Sequence, residues 1–488
     1  MGLLTLYSGL LLPWLGGAFW LAFIESQFSD NTQANRFRLT GYGFFLGYAV
    51  LFLAIMTSNK LTGTVSWPGL MTFLLIFAIS GGVAMWKTRS KLHAPPLDTK
   101  TPLSKPLRGL AAVILILTTV HLVFMTVEVF TQPLYPWDAW TVWAFRAKAW
   151  FLTGGITEMT GSAGWVSATA TDVFSTTGWG YPLFPSIITY WAAASLGHWS
   201  ETLINLPLLL AGLAIGMALY GQCRESGFNV SISLLCCYLL YSIPLFGTHI
   251  ALAGYADLWM AGFAGLGFVA LLRGSIIQDT TFKVNTQLLL GLLMIALGIL
   301  AKNEGRIWFL AAMAMLIVNR FHLRILLLSF LVFTAVILLA FALGITTIQI
   351  PLIGTLGYSG GQFIIPFIGG VSIEVHDIWQ PYLKNFFTLG NWNLLWVLVL
   401  ACLMLSIQSR RHPLQRANLV FIGLFLATQL FIFGFTKQGL WAANFTSINR
   451  LPIHFIPALL FSAFLLLRSR FEQLPTEHLA NKVQNNDV

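Results

Sequence analysis

Stretches of about 20 consecutive apolar residues recur from one end of this chain to the other, each long enough to cross the hydrocarbon core of a bilayer. That feature leaves few folds open. In lipid a backbone must satisfy its own polar groups, so a spanning segment is either a helix or a strand of a closed barrel. Barrel segments are about ten residues long and alternate in polarity, a pattern the sequence does not show. Composition agrees: 57% of the 488 residues are hydrophobic and 9% are charged, against roughly 25% charged in a soluble domain. The expected fold is all-α, a polytopic transmembrane helical bundle of about 13–14 spans with outer-face loops carrying interfacial helices.

The predicted spans are 3–24, 39–56, 68–86, 109–130, 181–197, 202–221, 230–249, 255–272, 286–301, 305–319, 325–344, 388–407, 417–435 and 450–467. No fixed-period repeat relates them, and Gly212 and Gly216 form a lone GxxxG. The net charge of +10 resolves into short basic loops, with Lys87, Arg89, Lys91, Lys100, Lys105 and Arg108 in one and Arg410, Arg411 and Arg416 in another. This is positive-inside patterning, and no basic stripe with interleaved aromatics points to nucleic acid. Residues 25–38, 87–108, 320–324, 408–416 and the tail from Arg468 read as cytoplasmic; 131–180, 345–387 and 436–449 read as outside. Fourteen spans would put both termini on one side, whereas the charges put the N-terminus outside and the tail inside. One candidate therefore does not cross fully, and the short 181–197 segment is the one expected to fail.

Four divisions follow: an N-terminal extension of three helices and a basic loop (1–108), a transmembrane core with the first outer loop (109–344), a second outer loop with C-terminal helices (345–467), and a cytoplasmic tail (468–488). The apolar N-terminus lacks a basic n-region and a clear cleavage site, and reads as a retained helix. Cys236, Cys237 and Cys402 lie within apolar runs and Cys223 near the end of one, a spacing that suggests neither zinc nor a disulfide framework. The two long outer loops carry aromatic, Gly and Pro residues rather than the polar composition of disorder, so both are expected to be ordered.

Polar residues with chemical potential fall at four places. Tyr135-Pro-Trp-Asp-Ala-Trp140 opens a stretch in which Trp140, Trp143, Ala147, Trp150 and Phe151 share one helical side, flanked by Arg146 and Lys148. This describes an interfacial helix with basic side chains reaching lipid headgroups. Asp138 stands where an N-cap belongs, and equally where a carboxylate base could be held at the membrane surface. Asp257, in Gly254-Tyr-Ala-Asp-Leu258, is the only acidic residue between Glu225 and Asp279; it is either a cap for the helix that follows or a functional carboxylate beside an apolar span. Lys302-Asn-Glu304-Gly-Arg306 divides a long apolar stretch, either as a simple turn with a local ion pair or as a charged break facing water or protein. Asn449-Arg450-Leu-Pro452 opens the last span with His454 a turn later; Arg450 could hold phosphate or reach to headgroups. Glu374, His376 and Asp377 cluster with a spacing poor for a metal. No metal or other cofactor is expected with any assurance, a divalent ion being the least favoured reading. No GxSxG, HExxH, Walker A or strand-borne GxGxxG motif is present.

The order of these motifs carries a resemblance. An Asp in the first large outer loop (138), Gly-Tyr-Pro-Leu (180–183), Tyr-Ala-Asp (255–257), Lys-Asn-Glu-Gly (302–305) and Arg-Leu-Pro (450–452) together resemble the GT-C class of integral-membrane glycosyltransferases. The likeness is to the branch of the protein O-mannosyltransferases and the bacterial aminoarabinose transferase of lipid A, and it covers about residues 109–467. It implies a bacterial inner (plasma) membrane enzyme that takes a sugar from a polyisoprenyl-phosphate donor. The acceptor would be a lipid, glycan or protein at the periplasmic face, with membrane lipids around it and no nucleic acid. The family's loop carboxylate falls on Asp138 and its second acidic position on Asp257. Members often carry two adjacent acids in the first loop, whereas here Asp138 is followed by Ala139.

On that reading Asp138 and Asp257 are the catalytic candidates. Lys302, Glu304, Arg450, Tyr181, Tyr255, Trp140, Arg146 and Lys148 are the substrate-binding ones. A lipid phosphate leaves without protonation, so one carboxylate suffices, unlike the acid–base pair of a glycosidase. Two other functions stay open: a polymerase or ligase of lipid-linked glycans, which needs no base at position 138, and a transporter or flippase, which predicts charges facing a midplane cavity and related half-repeats.

Overall fold

The computed structural model of the chain describes residues 2–28, 32–33, 35–93, 104–170, 173–252, 254–276, 285–351, 354–406 and 413–468. These fall into two compact units, one built from Met1–Lys302 with Ile453–Phe461, the other from Asn303–Pro452 with the chain from Ser462 onward.

The first unit is helical. Its elements are α1 (Gly2–Phe28), α2 (Arg36–Thr62), α3 (Trp67–Thr88), α4 (Lys105–Thr131), α5 (Ala144–Thr153), α6 (Phe184–Leu196), α7 (Leu206–Glu225), α8 (Val230–Ser242), α9 (Pro244–Ala251), α10 (Asp257–Ser275) and α11 (Thr286–Gly298). Sequence dictates several starts. Asn35, Ser66, Asn229 and Asn285 each accept a backbone N–H of the first turn, satisfying one of the donors that a helix start leaves over. Pro244 forces the bend of 70° between α8 and α9, because proline cannot continue the hydrogen-bond ladder. Small residues bring α10 and α11 together: a Cβ on Gly291 would meet the carbonyl oxygen of Gly267 at 2.7 Å. Such contacts drive association where lipid supplies no hydrophobic force.

A buried ionic network ties this unit at one end. The Arg38 guanidinium donates to Glu25 and, through Nε at 2.7 Å, to Glu225, which also receives Arg273. Gln222 donates to the Tyr42 hydroxyl at 2.9 Å and to Gln287 at 3.0 Å, and Tyr42 donates to the Leu266 carbonyl at 2.7 Å. The network joins α1, α2, α7, α10 and α11, so the first two helices are bound to the rest of the unit through charge.

The second unit contains α12 (Glu304–Arg320), α13 (Leu323–Ala342), four strands, α14 (Leu395–Ser406) and α15 (Pro413–Phe435). The last helix, α16 (Leu451–Arg468), contributes Ile453–Phe461 to the first unit and its two ends to the second. Strands β1 (Thr347–Ile350), β2 (Gly354–Ser359), β3 (Gln362–Ile365) and β4 (Gly369–Val371) form an antiparallel meander with Ile348 opposite Leu356 and Gly357 opposite Ile364. The chain is predominantly helical, as expected; this small meander orders the second long loop in place of the expected interfacial helices.

Eight helices among the described residues are long and apolar enough to cross a membrane, or nine with the bent α8–α9 pair. This is fewer than the expected 13–14, because α11 and α14 have only 13 and 12 residues and α12 has 17 with charge at both ends; α13 runs 20 residues, enough at 1.5 Å per residue to cross as well. The 181–197 segment is the 13-residue α6, about 20 Å long at 1.5 Å per residue, well short of a hydrocarbon core of about 30 Å.

Candidate functional site

Asp257 is the first residue of α10 and is wholly shielded from solvent. Its Oδ1 accepts from Lys302 Nζ at 2.8 Å and from His454 Nε2 at 3.0 Å, while His249 Nε2 lies 3.9 Å from Oδ2. Four separate pieces of chain supply these groups: the end of α9, the start of α10, the unwound turn after α11 and the first turn of α16. Neither His249 nor Lys302 is more than 7% exposed, and His454 is completely covered. A buried carboxylate is tolerated when it is paired and hydrogen-bonded, which the Lys302 and His454 contacts accomplish. The cap reading of Asp257 is not what the structure shows: the cap position is Ala256, and the carboxylate bonds side chains.

The imidazoles can be assigned partly from chemistry. His249 Nδ1 sits 2.8 Å from the Leu245 carbonyl, which can only accept, so Nδ1 carries a proton. Likewise His454 Nε2 is the donor to an ionised Asp257. The Tyr255 ring packs on His249 with centroids 5.1 Å apart, fixing the imidazole plane.

Asp138 approaches the same region through its own helix. Gly254 has φ +107 and its α-carbon faces Ala139, which leaves no room for a Cβ; only glycine meets both conditions. Val142 and Trp143 pack with Ala256 in one buried cluster. The turn after Asp138 thus lies directly on the segment leading to Asp257. Both carboxylates precede π-helical turns, Ala139–Trp143 after Asp138 and Ala261–Gly265 within α10, a distortion frequent at functional sites. Asp138 itself is half-buried. Its backbone is helical (φ −64, ψ −28) and its side chain caps no N–H, so the N-cap expectation is corrected.

Arg146 departs further from expectation. It is buried rather than extended to headgroups. Its guanidinium donates to the carbonyls of Tyr181 at 2.9 Å, Pro182 at 3.3 Å and Gly178, and lies 5.8 Å over the Trp143 ring. One side chain therefore holds the Gly180–Leu183 motif against the Asp138 helix, and the Trp143 and Tyr181 rings meet at 5.3 Å. Burial lowers the Arg146 pKa to about 10, so it remains a cation at neutral pH. The helix face carrying Trp143, Ala147 and Trp150 is likewise buried within the protein, not laid on lipid. The face left open carries Tyr135, Trp137 and Trp140, each more than 60% exposed; the Trp140 indole donates to the Leu134 carbonyl at 2.7 Å. Lys148 is exposed and pairs with Glu201 at 3.3 Å.

Glu304 and Arg450 belong to the second unit. Glu304 begins α12 and is half-buried; Arg450 is half-buried in the turn before α16, its N–H bonded to Ser447. Nearby in that unit, Arg306 donates to the Phe367 carbonyl at 3.0 Å. Of the small polar cluster, His376 lies 3.6 Å from Glu374 and Asp377 accepts from the Trp379 N–H. Among the described residues, no group of three or more His, Cys, Asp or Glu side chains is arranged to hold a metal ion.

The structure thus brings together Asp257, Lys302, Tyr255, Asp138, Tyr181 and Arg146 in the first unit, and adds two histidines. His454 was visible as a polar residue in the last span, but nothing marked its partner. His249 was overlooked. Its signal was an imidazole in an apolar helix eight residues before an Asp, which is weak without knowing that the chain turns back at Gly254. The chain matches no family model, no curated protein and no solved structure.

Proposed function

We propose that this chain is a membrane-embedded glycosyltransferase that moves a sugar from a polyisoprenyl-phosphate donor to a lipid, glycan or protein acceptor at the outer face of a bacterial inner membrane. The observation that supports the reading is the packing of Ala139, Val142 and Trp143, which follow Asp138, on Gly254 and Ala256, which precede Asp257. Asp138 takes the acceptor hydroxyl proton as that oxygen attacks the anomeric carbon. The bond from this carbon to the donor phosphate oxygen breaks, and the lipid phosphate leaves with the electron pair. A single displacement inverts the anomeric centre. Asp257 orients Lys302 and His454, which favour the negative charge growing on the leaving group. Tyr135, Trp137 and Trp140 offer exposed ring faces to a sugar or to the lipid interface.

The test is incubation of the purified protein with radiolabelled polyisoprenyl-phosphate sugars and membrane extract. Transfer of one label to a lipid, glycan or protein fraction is the expected result; retention of every label on its donor contradicts the reading. A second reading, a transporter or flippase, draws on one observation: His249, Asp257, Lys302 and His454 form a shielded titratable cluster in a membrane protein, the composition of a proton relay. Vesicle uptake coupled to a proton gradient, with no label transferred, would favour it.

A further inference from the structure

The first outer loop carries side chains that the proposed reaction does not use. Between Gly154 and Gly180 it holds nine Ser and Thr, two acids and two Trp, and no Lys, Arg or Leu. Trp165 and Trp179 are 53% and 57% exposed, and Tyr181 just beyond is 36% exposed. A segment that anchors in a bilayer interface carries basic side chains for the headgroup phosphates. This loop has none, and its other exposed side chains include Ser162, Thr169, Thr177 and Glu158. Open indoles among hydroxyls and a carboxylate call for a ligand that is apolar on one face and polar at its rim.

Packing holds these rings in place. Met159 and Thr160 pair with Phe174 and Ser175, closing the loop on itself. The Trp179 indole edge lies on Gly161, where a Cβ would meet Nε1 at 2.9 Å. Trp165 stands on the turn that opens at Gly161, its backbone N–H donating to the Gly161 carbonyl at 2.9 Å. Both indoles therefore rise within one turn of the same glycine. The far end of the loop is tied down by three contacts: the Thr176 hydroxyl donates to the Thr141 carbonyl, Gly178 lies on Val142, and the Tyr181 ring meets Trp143. Thr141, Val142 and Trp143 lie about one turn beyond Asp138, so the loop is fixed against the stretch of helix that Asp138 opens.

A pyranose matches this surface. It presents a face of C–H groups to a flat ring, and hydroxyls at its rim that donate to and accept from Ser, Thr and Glu side chains. It needs no cation, and the loop supplies none. We infer that Trp165 and Trp179 form a carbohydrate-binding platform on the first outer loop, and that the acceptor docked there is a glycan rather than a bare lipid or a protein. Naming the bound glycan as the acceptor rests on the transferase reading; the binding itself does not.

Full-length protein in phosphatidylethanolamine–phosphatidylglycerol nanodiscs, applied to an array of immobilised oligosaccharides of glucose, mannose, galactose and N-acetylglucosamine, tests it. Binding to at least one is expected, about tenfold weaker in Trp165→Ala and in Trp179→Ala and largely kept in Trp179→Phe, which retains a ring. Both side chains are more than half exposed, so the variants should melt with the wild type. Hydroxyl-radical footprinting of the wild type, read by peptide mass spectrometry, should show Trp165 and Trp179 protected by the bound oligosaccharide, a result that stands even if a variant fails to fold. The inference is overturned if no oligosaccharide binds, if the folded alanine variants bind as the wild type does, or if the bilayer already shields both indoles before sugar is added. Transfer of label to a bare lipid or a protein with no oligosaccharide bound ends this inference and leaves the transferase reading; oligosaccharide binding with no transfer of any label leaves the platform and ends the transferase reading.

Discussion

Arg146 shows how far a single residue can be read. Its position on a helix flank was legible from the 3.6-residue period, but the period says nothing about what covers that flank. The answer lies more than thirty residues away, in the carbonyls of Gly178, Tyr181 and Pro182. Replacing Arg146 by Lys keeps the charge and loses the planar fork that reaches several acceptors at once. Each buried carbonyl left without a donor costs about 1–3 kcal/mol, so Arg146→Lys should lower the melting temperature in detergent and loosen the 178–182 turn to proteolysis. The charge itself is not a pH switch. Arg146 is protonated in folded and unfolded chains alike below its folded pKa of about 10; only above that does the folded form release its proton first. Its contribution to stability should therefore be flat between pH 5 and 9, checked by melting wild type and variant across that range. Asp257 stands out in the sequence as a lone carboxylate beside an apolar span, yet whether it caps a helix or meets other charges depends on Lys302 and His454 arriving from distant parts of the chain.

At the level of elements, α10 carries a polar cluster at each end, Asp257 at its start and Arg273 sixteen residues on, roughly 24 Å apart along an ideal helix. Buried charges of this kind define which helices belong together, because removing one strands its partners. Arg38→Met would leave Glu25 and Glu225 with less compensation, at a cost of about 3–5 kcal/mol. The variant should therefore unfold at distinctly lower denaturant, whereas Lys148→Met, which removes only an exposed pair, should be nearly neutral. Helix existence was legible because long apolar runs admit no other structure in lipid. The meander was not: Thr347–Ile350 alternates polar and apolar residues, but four residues of alternation are a faint signal. The start of the Asp138 helix was placed within about two residues, while its π-helical turn, set by packing on Gly254, has no sequence signature.

For the molecule as a whole, the basic loops set an expected sidedness, and that topology is directly testable. In a variant otherwise free of reactive thiols, Glu158→Cys and Thr446→Cys should react with an impermeant maleimide on intact cells. Lys105→Cys should react only after the membrane is opened; the reverse pattern would invert every assignment of inside and outside. Eight or nine long apolar helices among the described residues support a multi-pass membrane protein. The proposed function rests on an order of motifs and on the packing of the turn after Asp138 against the segment that leads to Asp257. Asp138 is where that account is most exposed. Its side chain caps no helix N–H, so Asp138→Asn costs no cap and preserves volume while removing the proton acceptor. The account predicts that the variant purifies as stable protein, still binds the polyisoprenyl-phosphate donor, and transfers sugar about 10²–10⁴-fold more slowly. Transfer at the wild-type rate by Asp138→Asn would contradict it.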